Sequence, residues 1–519
     1  MNLRGKDLAQ KPTSHKIPWF GIGMASIFAL SAALRFWGLN RFNTLVFDEI
    51  YYTTFASNYL TQTPFFDGHP PLSKYIIAFG IWLGSQFPQG ETVNSMSGTL
   101  VAPWAYRWLN ALLGSLIPLL VGGIAYRLSY RRSFALIAAL LAALDGLLLV
   151  ESRFALNNVH LVVFGLLGQW AVLVALARQS IRRWLWLAIA GAGFGAAAAI
   201  KWNGLWFLLG IYWLWLAAQA LHRLQAWRRR IFGPLRDRWG RPWVPAFVPL
   251  QNLVQLKLLH ILVFLAVVPF AVYALLWIPH LQLNPGDGFW QLQYRILTYH
   301  QNVGGNTRDV HPYCSPWYTW PLMVRSVAYF YQRVRVPGEA VPSLPPLPDN
   351  ATRFIYDVHA MGNPLLWWLS TLAVACLLGM LIQRLWRGLA QLMRSRQNLR
   401  RNRENRSLRR TRAFPLTPTP LLWTALFLGL NYLANWLPWT RVTRCTFLYH
   451  YIGASIFASM TLAWFVDRGL RSRHLWQRQS AIAVLLLVGL AFCFWLPIYL
   501  GLPISPDGLR LRMWLQSWI

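Results

Sequence analysis

An acidic pair, Asp48-Glu49, follows the apolar Leu45-Val46-Phe47 just past a long hydrophobic segment. Adjacent carboxylates at a membrane edge repel each other and are costly to desolvate, so a catalytic role competes there with a solvated loop start or a helix N-cap. Farther on, Phe65-Phe66-Asp67-Gly68-His69-Pro70-Pro71-Leu72-Ser73-Lys74 turns the chain before an apolar helix expected over Tyr75 to Phe87 at the interface. A second group, Glu151, Arg153, Lys201, Arg441 and Arg444, sits at the ends of hydrophobic runs. Singly, such cations snorkel to the interface; converging on one edge, they suit the phosphate of a lipid-linked substrate. A third group runs from Tyr299-His300-Gln301-Asn302 through Arg308-Asp309-Val310-His311-Pro312-Tyr313-Cys314-Ser315-Pro316-Trp317 to Trp320-Pro321. Aromatics with polar tips serve either as an interfacial belt or as a surface on which sugar rings stack. No closely spaced metal-ligand set appears, so no metal is expected, although acids and histidines for a divalent ion are present. The cysteines, Cys314, Cys376, Cys445 and Cys493, form no CxxC pair and indicate neither a zinc site nor a disulfide framework.

The elements that must position these groups are membrane helices. The 519 residues are 56% hydrophobic and only 13% charged, where soluble domains average about 25%, which excludes a purely soluble enzyme. Apolar runs of about 20 residues, each able to cross a bilayer, recur along the chain. Eleven spans are expected, near residues 17–39, 102–126, 134–150, 159–177, 185–201, 203–221, 258–279, 364–383, 420–437, 446–466 and 480–500. The stretch 185–221 is divided in two because Lys201-Trp202-Asn203-Gly204 interrupts it.

Of the 49 Lys and Arg residues, 33 lie on one side of these spans, which the bias of cations toward the cytoplasm assigns to the inside. The N-terminus is then inside and, after an odd number of crossings, the C-terminus outside. The run 17–39 lacks a following cleavage site and is expected to stay as an anchor. The net charge of +33 follows this sidedness rather than any nucleic-acid-binding surface; the basic run Arg384 to Arg412 is expected to face anionic lipid. Two long outer loops, 40–101 and 280–363, hold nine of the sixteen acids, which puts the chemistry outside. Pro342 to Pro348 forms a short stiff linker. The organisation is a membrane module over 1–279 with a catalytic first outer loop, a second outer loop over 280–363, and C-terminal membrane helices over 364–519 with a basic cytoplasmic loop at 384–419.

These segments resemble the protein O-mannosyltransferase family, part of the GT-C group of membrane glycosyltransferases that use polyprenyl-phosphate sugars. The likeness rests on Phe47-Asp48-Glu49, Phe66-Asp67-Gly68-His69-Pro70-Pro71-Leu72-Ser73-Lys74, Ser152-Arg153-Phe154 and Ala199-Ile200-Lys201-Trp202-Asn203-Gly204. It continues through His311-Pro312-Tyr313 with Trp317 and Trp320, Asn363-Pro364, and Phe447-Leu448-Tyr449-His450-Tyr451. The resemblance implies an all-α polytopic GT-C fold and an inverting transfer of mannose from polyprenyl-phosphate-mannose to Ser or Thr of exported polypeptides. It also implies a prokaryotic member, because the second outer loop is too short for the trefoil domain that eukaryotic members insert.

On that reading Asp48 is the general base and Glu49 supports it by orienting acceptor or backbone. Arg153, Lys201 and Arg444 bind the donor phosphate, and His69, His311, His450 and Tyr451 shape the site. The setting is the plasma membrane, with the active site outside and an association with the secretion machinery; no cofactor is required beyond the lipid-linked donor. One departure stands out: the family carries Asp shortly after the Ser-Arg pair, where this chain has Asn157-Asn158. The alternatives are a GT-C transferase with another lipid-linked sugar or a lipid or glycan acceptor, such as one resembling the aminoarabinose-to-lipid-A enzymes, and a lipid-linked sugar transporter or flippase.

Overall fold

The computed structural model describes residues 18–88, 94–96, 99–232, 249–334, 354–401, 416–417 and 419–519. Arg4, Lys6, Lys11 and Lys16, the linker Pro342 to Pro348, and much of the two longest basic loops lie outside the described residues.

The chain is mostly helical, as its long apolar runs require. The N-terminal part comprises α1 (Trp19–Phe36), α2 (Glu49–Leu60), α3 (Leu72–Gly84), α4 (Pro103–Ser129), α5 (Arg132–Ala143), α6 (Gly146–Arg153), α7 (Asn158–Leu176), α8 (Ser180–Ala198) and α9 (Leu205–Phe232). A further helical run holds α10 (Leu258–Leu262), a π turn, α11 (Val268–Leu276) and α12 (Ile278–Leu283), followed by α13 (Phe289–Asn302). The C-terminal part contains α14 (Pro364–Arg401), α15 (Pro420–Trp436), α16 (Ile452–Leu470), α17 (Leu475–Leu500) and the short α18 (Pro506–Arg510). Helices occupy all eleven expected stretches. Among the described residues, seven are long and apolar enough to cross a bilayer, or eight if α5 and α6, bent by 58° at their junction, form one span.

Local sequence explains where these helices stop and turn. The α5/α6 bend falls at Asp145, whose carboxylate accepts the Leu148 N–H at 2.9 Å as an N-cap and the Trp367 indole N–H of α14 at 2.6 Å. The expected break at Lys201-Trp202-Asn203-Gly204 is real: α8 ends at Ala198 and a single 3-10 turn, Trp202–Gly204, precedes α9. A Cβ on Gly204 would come within 2.4 Å of the Ala197 backbone, so only glycine permits the reversal to be this tight. The core runs through the helix interior, with α4 packed on α1, α5 and α7, and α16 on α14, α15 and α5.

Two findings depart from the sequence expectation. First, the outer layer is not purely helical. A short hairpin pairs β1 (Asn94–Met96) with β2 (Thr99–Val101), and a three-stranded antiparallel sheet joins β3 (Val327–Val334), β4 (Phe354–Ala360) and β5 (Pro503–Ile504). The β-branched and aromatic residues of Val-Ala-Tyr-Phe-Tyr and Phe-Ile-Tyr-Asp-Val favour this pairing. Second, Cys314 and Cys445 form a disulfide, with Cα atoms 5.2 Å apart and 131 residues between them. Spacing rules did not indicate it because the two halves meet only through tertiary folding. Cys376 and Cys493 are free and exposed on apolar helices.

Candidate active site

A cavity of about 370 Å³ opens on the side bearing the two long loops, termed the outer side. It is near the lower end of ligand-pocket volumes, about 300 to 1,000 Å³. Four segments far apart in sequence line it: Gly68 to Pro70 before α3, Lys201 to Asn203 and Trp206 at the α8/α9 break, Ile296 to Gln301 of α13, and Trp439 to Arg444 with His450 before α16.

The α3 approach is fixed first. The Lys74 ammonium makes an ion pair with Asp67 and also donates to the carbonyls of His69 at 2.8 Å and Pro70 at 3.0 Å. The motif's lysine therefore closes its own turn and holds His69 at the cavity wall. Leu72 N–H donates to Ala199 O at 3.0 Å, so this turn is also tied to the segment that carries Lys201. Gly68 faces the Tyr299 ring so closely that a Cβ would stand 2.4 Å from it. Burial, with Lys201 the largest electrostatic contributor, pushes the His69 imidazole well below its ordinary range; burial and Arg444 push His300, 5.1 Å away ring to ring, down to about 4. Both rings are neutral near pH 7.

At the floor, the Lys201 ammonium donates to Asn158 Oδ1 at 2.9 Å and lies 5.5 Å from the centre of the Tyr449 ring. Arg444 reaches the rim from the strand-like segment that bridges to Gly305, and its guanidinium donates to Cys445 O at 2.9 Å. The disulfide partner Cys314 holds this segment against the second outer loop, helped by Ser315 N–H to Thr446 O at 2.8 Å.

Asp48 occupies the N-cap position of α2, but its side chain makes no capping bond. Phe47 before it has φ of 53°, unusual for a bulky residue. Its ring stacks on Tyr329 of β3 at 4.3 Å and 11°, which fixes the turn. Asp48 is not itself a lining residue of the cavity, but its carboxyl lies within electrostatic reach of Lys201, which is. Burial pushes the Asp48 carboxyl up to about 6 against the pull of the Lys201 charge, and Asp67 adds to the rise.

Glu49 points the other way. It is fully buried and grips the Arg107 guanidinium of α4 at 2.9 and 2.7 Å while accepting the N–H groups of Val46 and Ala155, each at 2.8 Å. Arg107 also donates to the carbonyls of Leu39, Phe42 and Thr44. Glu49 thus orients backbone and does not face the cavity.

Arg153 departs from its expected place. Its guanidinium donates to the carbonyls of Leu34, Arg35, Trp37 and Gly38, where it caps the C-terminus of α1 instead of lining the cavity. His311 also stands apart, against Tyr313 and Phe447, and Tyr451 lies in the core with its hydroxyl on Tyr432 at 3.1 Å. His450 does line the cavity, packed between Trp439 at 4.6 Å and Tyr449 at 4.7 Å. The structure therefore brings together Lys201, Arg444, His69 and His450, with the Asp48 carboxyl in electrostatic reach of Lys201. Sequence reasoning missed Arg107, an arginine inside an apolar run, and the cavity residues Trp206 and Trp439, which read as ordinary membrane tryptophans. Among the described residues, no group of three or more His, Cys, Asp or Glu is arranged to hold a metal ion.

Comparison with known proteins agrees with this architecture. The family model for dolichyl-phosphate-mannose-protein mannosyltransferase matches residues 25–284, and that for the C-terminal four-helix membrane region of protein O-mannosyltransferase matches 286–518. The polyprenol-phosphate-mannose–protein mannosyltransferase of Mycolicibacterium smegmatis is 24% identical over 95% of this chain and 92% of its own. That of Mycobacterium tuberculosis is 23% identical over 96% and 92%. The Saccharomyces cerevisiae Pmt1-Pmt2 complex bound to the sugar donor contains a chain that superposes with a TM-score of 0.59 at 16% identity, covering 98% of this chain and 93% of that one. This overlap shows a shared fold, the GT-C arrangement expected from the motifs. Carried by matched segments over nearly its whole length, the chain belongs to the dolichyl-phosphate-mannose-protein mannosyltransferase family.

Proposed function

We propose that the protein transfers mannose from polyprenyl-phosphate-mannose to Ser or Thr hydroxyls of exported polypeptides, with inversion at the anomeric carbon. The observation that carries this reading is the cavity that places Lys201 and Arg444 together with the Asp48 carboxyl in electrostatic reach, in a chain of this family. The acceptor oxygen bonds to the anomeric carbon as that carbon's bond to the phosphate oxygen breaks. The hydroxyl proton passes to Asp48, and polyprenyl phosphate departs. Because the leaving group is already an anion, one base suffices, unlike the two carboxylates of glycoside hydrolysis. A proton affinity raised to about 6 makes Asp48 a stronger base than an ordinary carboxylate while leaving it ionised near pH 7. Lys201 and Arg444 stabilise the charge on the departing phosphate, so the reading requires no resident metal or other cofactor.

In this reading the protein sits in the plasma membrane with its N-terminus cytoplasmic and its cavity outside. The cation bias supports this, and so does the disulfide beside the cavity, since such bonds persist in oxidising compartments. An association with the secretion machinery would deliver unfolded Ser- and Thr-containing segments to that face. The test is transfer of labelled mannose from polyprenyl-phosphate-mannose to a Ser/Thr-rich peptide by purified protein in detergent or lipid. Peptide labelling is expected. Release of polyprenyl phosphate with label moving only to a lipid or glycan acceptor would overturn the protein-directed reading, and movement of intact donor between leaflets would overturn transfer altogether.

A further inference from the structure

Beneath Lys201 lies a buried chain of polar groups that the proposed chemistry does not use. The Tyr329 hydroxyl of β3 donates to Glu151 Oε1, Asn158 Nδ2 donates to Glu151 Oε2 at 3.1 Å, and Asn158 Oδ1 accepts from Lys201 Nζ at 2.9 Å. Glu151 has no exposed surface and Asn158 almost none. The orientation of the Asn158 amide is set by its neighbours: a carboxylate can only accept and an ammonium can only donate, so an amide between them has one permitted arrangement.

We propose that Glu151 and Asn158 form a polarity-matched positioning pair, sharing one negative charge between them, that holds Lys201 in place for the donor phosphate. On this proposal one carboxylate and one amide satisfy the two sites in either order. In the present order, each hydrogen bond runs donor to acceptor from both ends toward the pair. With Glu151→Gln and Asn158→Asp together, the introduced glutamine still accepts from Tyr329, its amide N–H donates to the new carboxylate, and that carboxylate still accepts from Lys201. Every contact survives with one bond reversed.

Either change alone alters the single negative charge of the pair. Asn158→Asp sets two carboxylates face to face, where one must take up a proton or move away. Glu151→Gln keeps a bonded chain only if the Tyr329 hydroxyl turns to accept from the new amide, and it removes the buried negative charge that the Lys201 ammonium faces through Asn158. A mismatched hydrogen bond to a buried charge corresponds to about a tenfold to hundredfold loss in an equilibrium that depends on it.

The inference rests on the reading of Lys201 as a phosphate-binding group, so its test measures that property without mannosyl transfer. Binding of polyprenyl phosphate to the purified full-length protein in detergent is titrated for wild type, Glu151→Gln, Asn158→Asp and the double variant, alongside melting temperature and, in the transfer assay, KM for the donor and kcat. Each single variant is expected to weaken polyprenyl-phosphate binding and raise donor KM about tenfold or more, and the double variant to recover most of both. Losses in the double variant that match or exceed the sum of the singles would overturn the pairing, as would single variants that bind like wild type. Should the single variants fail to fold, a folded double variant with near wild-type affinity supports the proposal and an unfolded one overturns it. If wild type binds polyprenyl phosphate with this pattern yet transfers no mannose to peptide, the positioning pair stands and the protein-directed reading falls.

Discussion

The two sides of the Phe47-Asp48-Glu49 turn handle charge at a membrane edge in opposite ways. On the inner side, Glu49 is saturated: a two-pronged contact with Arg107 and two backbone N–H donors consume its acceptor capacity. On the outer side, Asp48 has neither a capping bond nor, among the described residues, an ion pair within 4.0 Å, and burial raises its proton affinity. The difference teaches how a carboxylate without an ion pair can persist in a low-dielectric setting. Its neighbour anchors the backbone firmly enough that Asp48 need not find a partner of its own.

The sharpest way to break this comparison is Asp48→Asn. Transfer is expected to fall by about 10² to 10⁴, with an unchanged melting temperature, because no structural bond is lost. Near-normal turnover would remove the base. Arg107→Met should do the reverse: it strands the buried Glu49 carboxylate, at about 3 to 5 kcal/mol, and is read as a lower melting temperature and poor yield. Adding Glu49→Gln to Arg107→Met should recover part of that loss; if the pair of changes proved no better than one, the ion pair would not be what holds the turn. Replacing both Cys314 and Cys445 by Ser is expected to destabilise by about 2 to 5 kcal/mol and, because Arg444 adjoins Cys445, to raise donor KM more than it lowers kcat. The smallest effect is the pH profile. A base must be ionised, and the Asp48 carboxyl titrates at about 6, so kcat/KM should drop about tenfold per unit below that pH and level off above it. A profile that keeps its acid limb in Asp48→Asn would assign that limb to another group.

Much of the scaffold was legible because apolar length and helix-breaking residues act locally. The α8/α9 break was readable from Lys201-Trp202-Asn203-Gly204 alone, and Asp48 stood out as an acid beside an apolar stretch. What a sequence does not carry is direction. Arg153 and Lys201 look alike at the ends of hydrophobic runs, yet one guanidinium points at the α1 carbonyls and the other cation at the cavity. His311 and His300 lie eleven positions apart on the same loop, and only His300 lines the cavity. Partners distant in sequence were equally hidden, including Arg107 for Glu49 and Tyr329 for Glu151. The β4–β5 pairing of the outer sheet escaped notice because it joins the second outer loop to a strand beyond α17.

The Cys314–Cys445 bond also constrains how the protein is made. Both α14 and α15 lie between the two cysteines, so the sulfurs cannot meet until those helices have been synthesised and folded into place. In a cell, the oxidised thiols would serve as a covalent record that biogenesis of the later half had succeeded, written beside the very wall that carries Arg444.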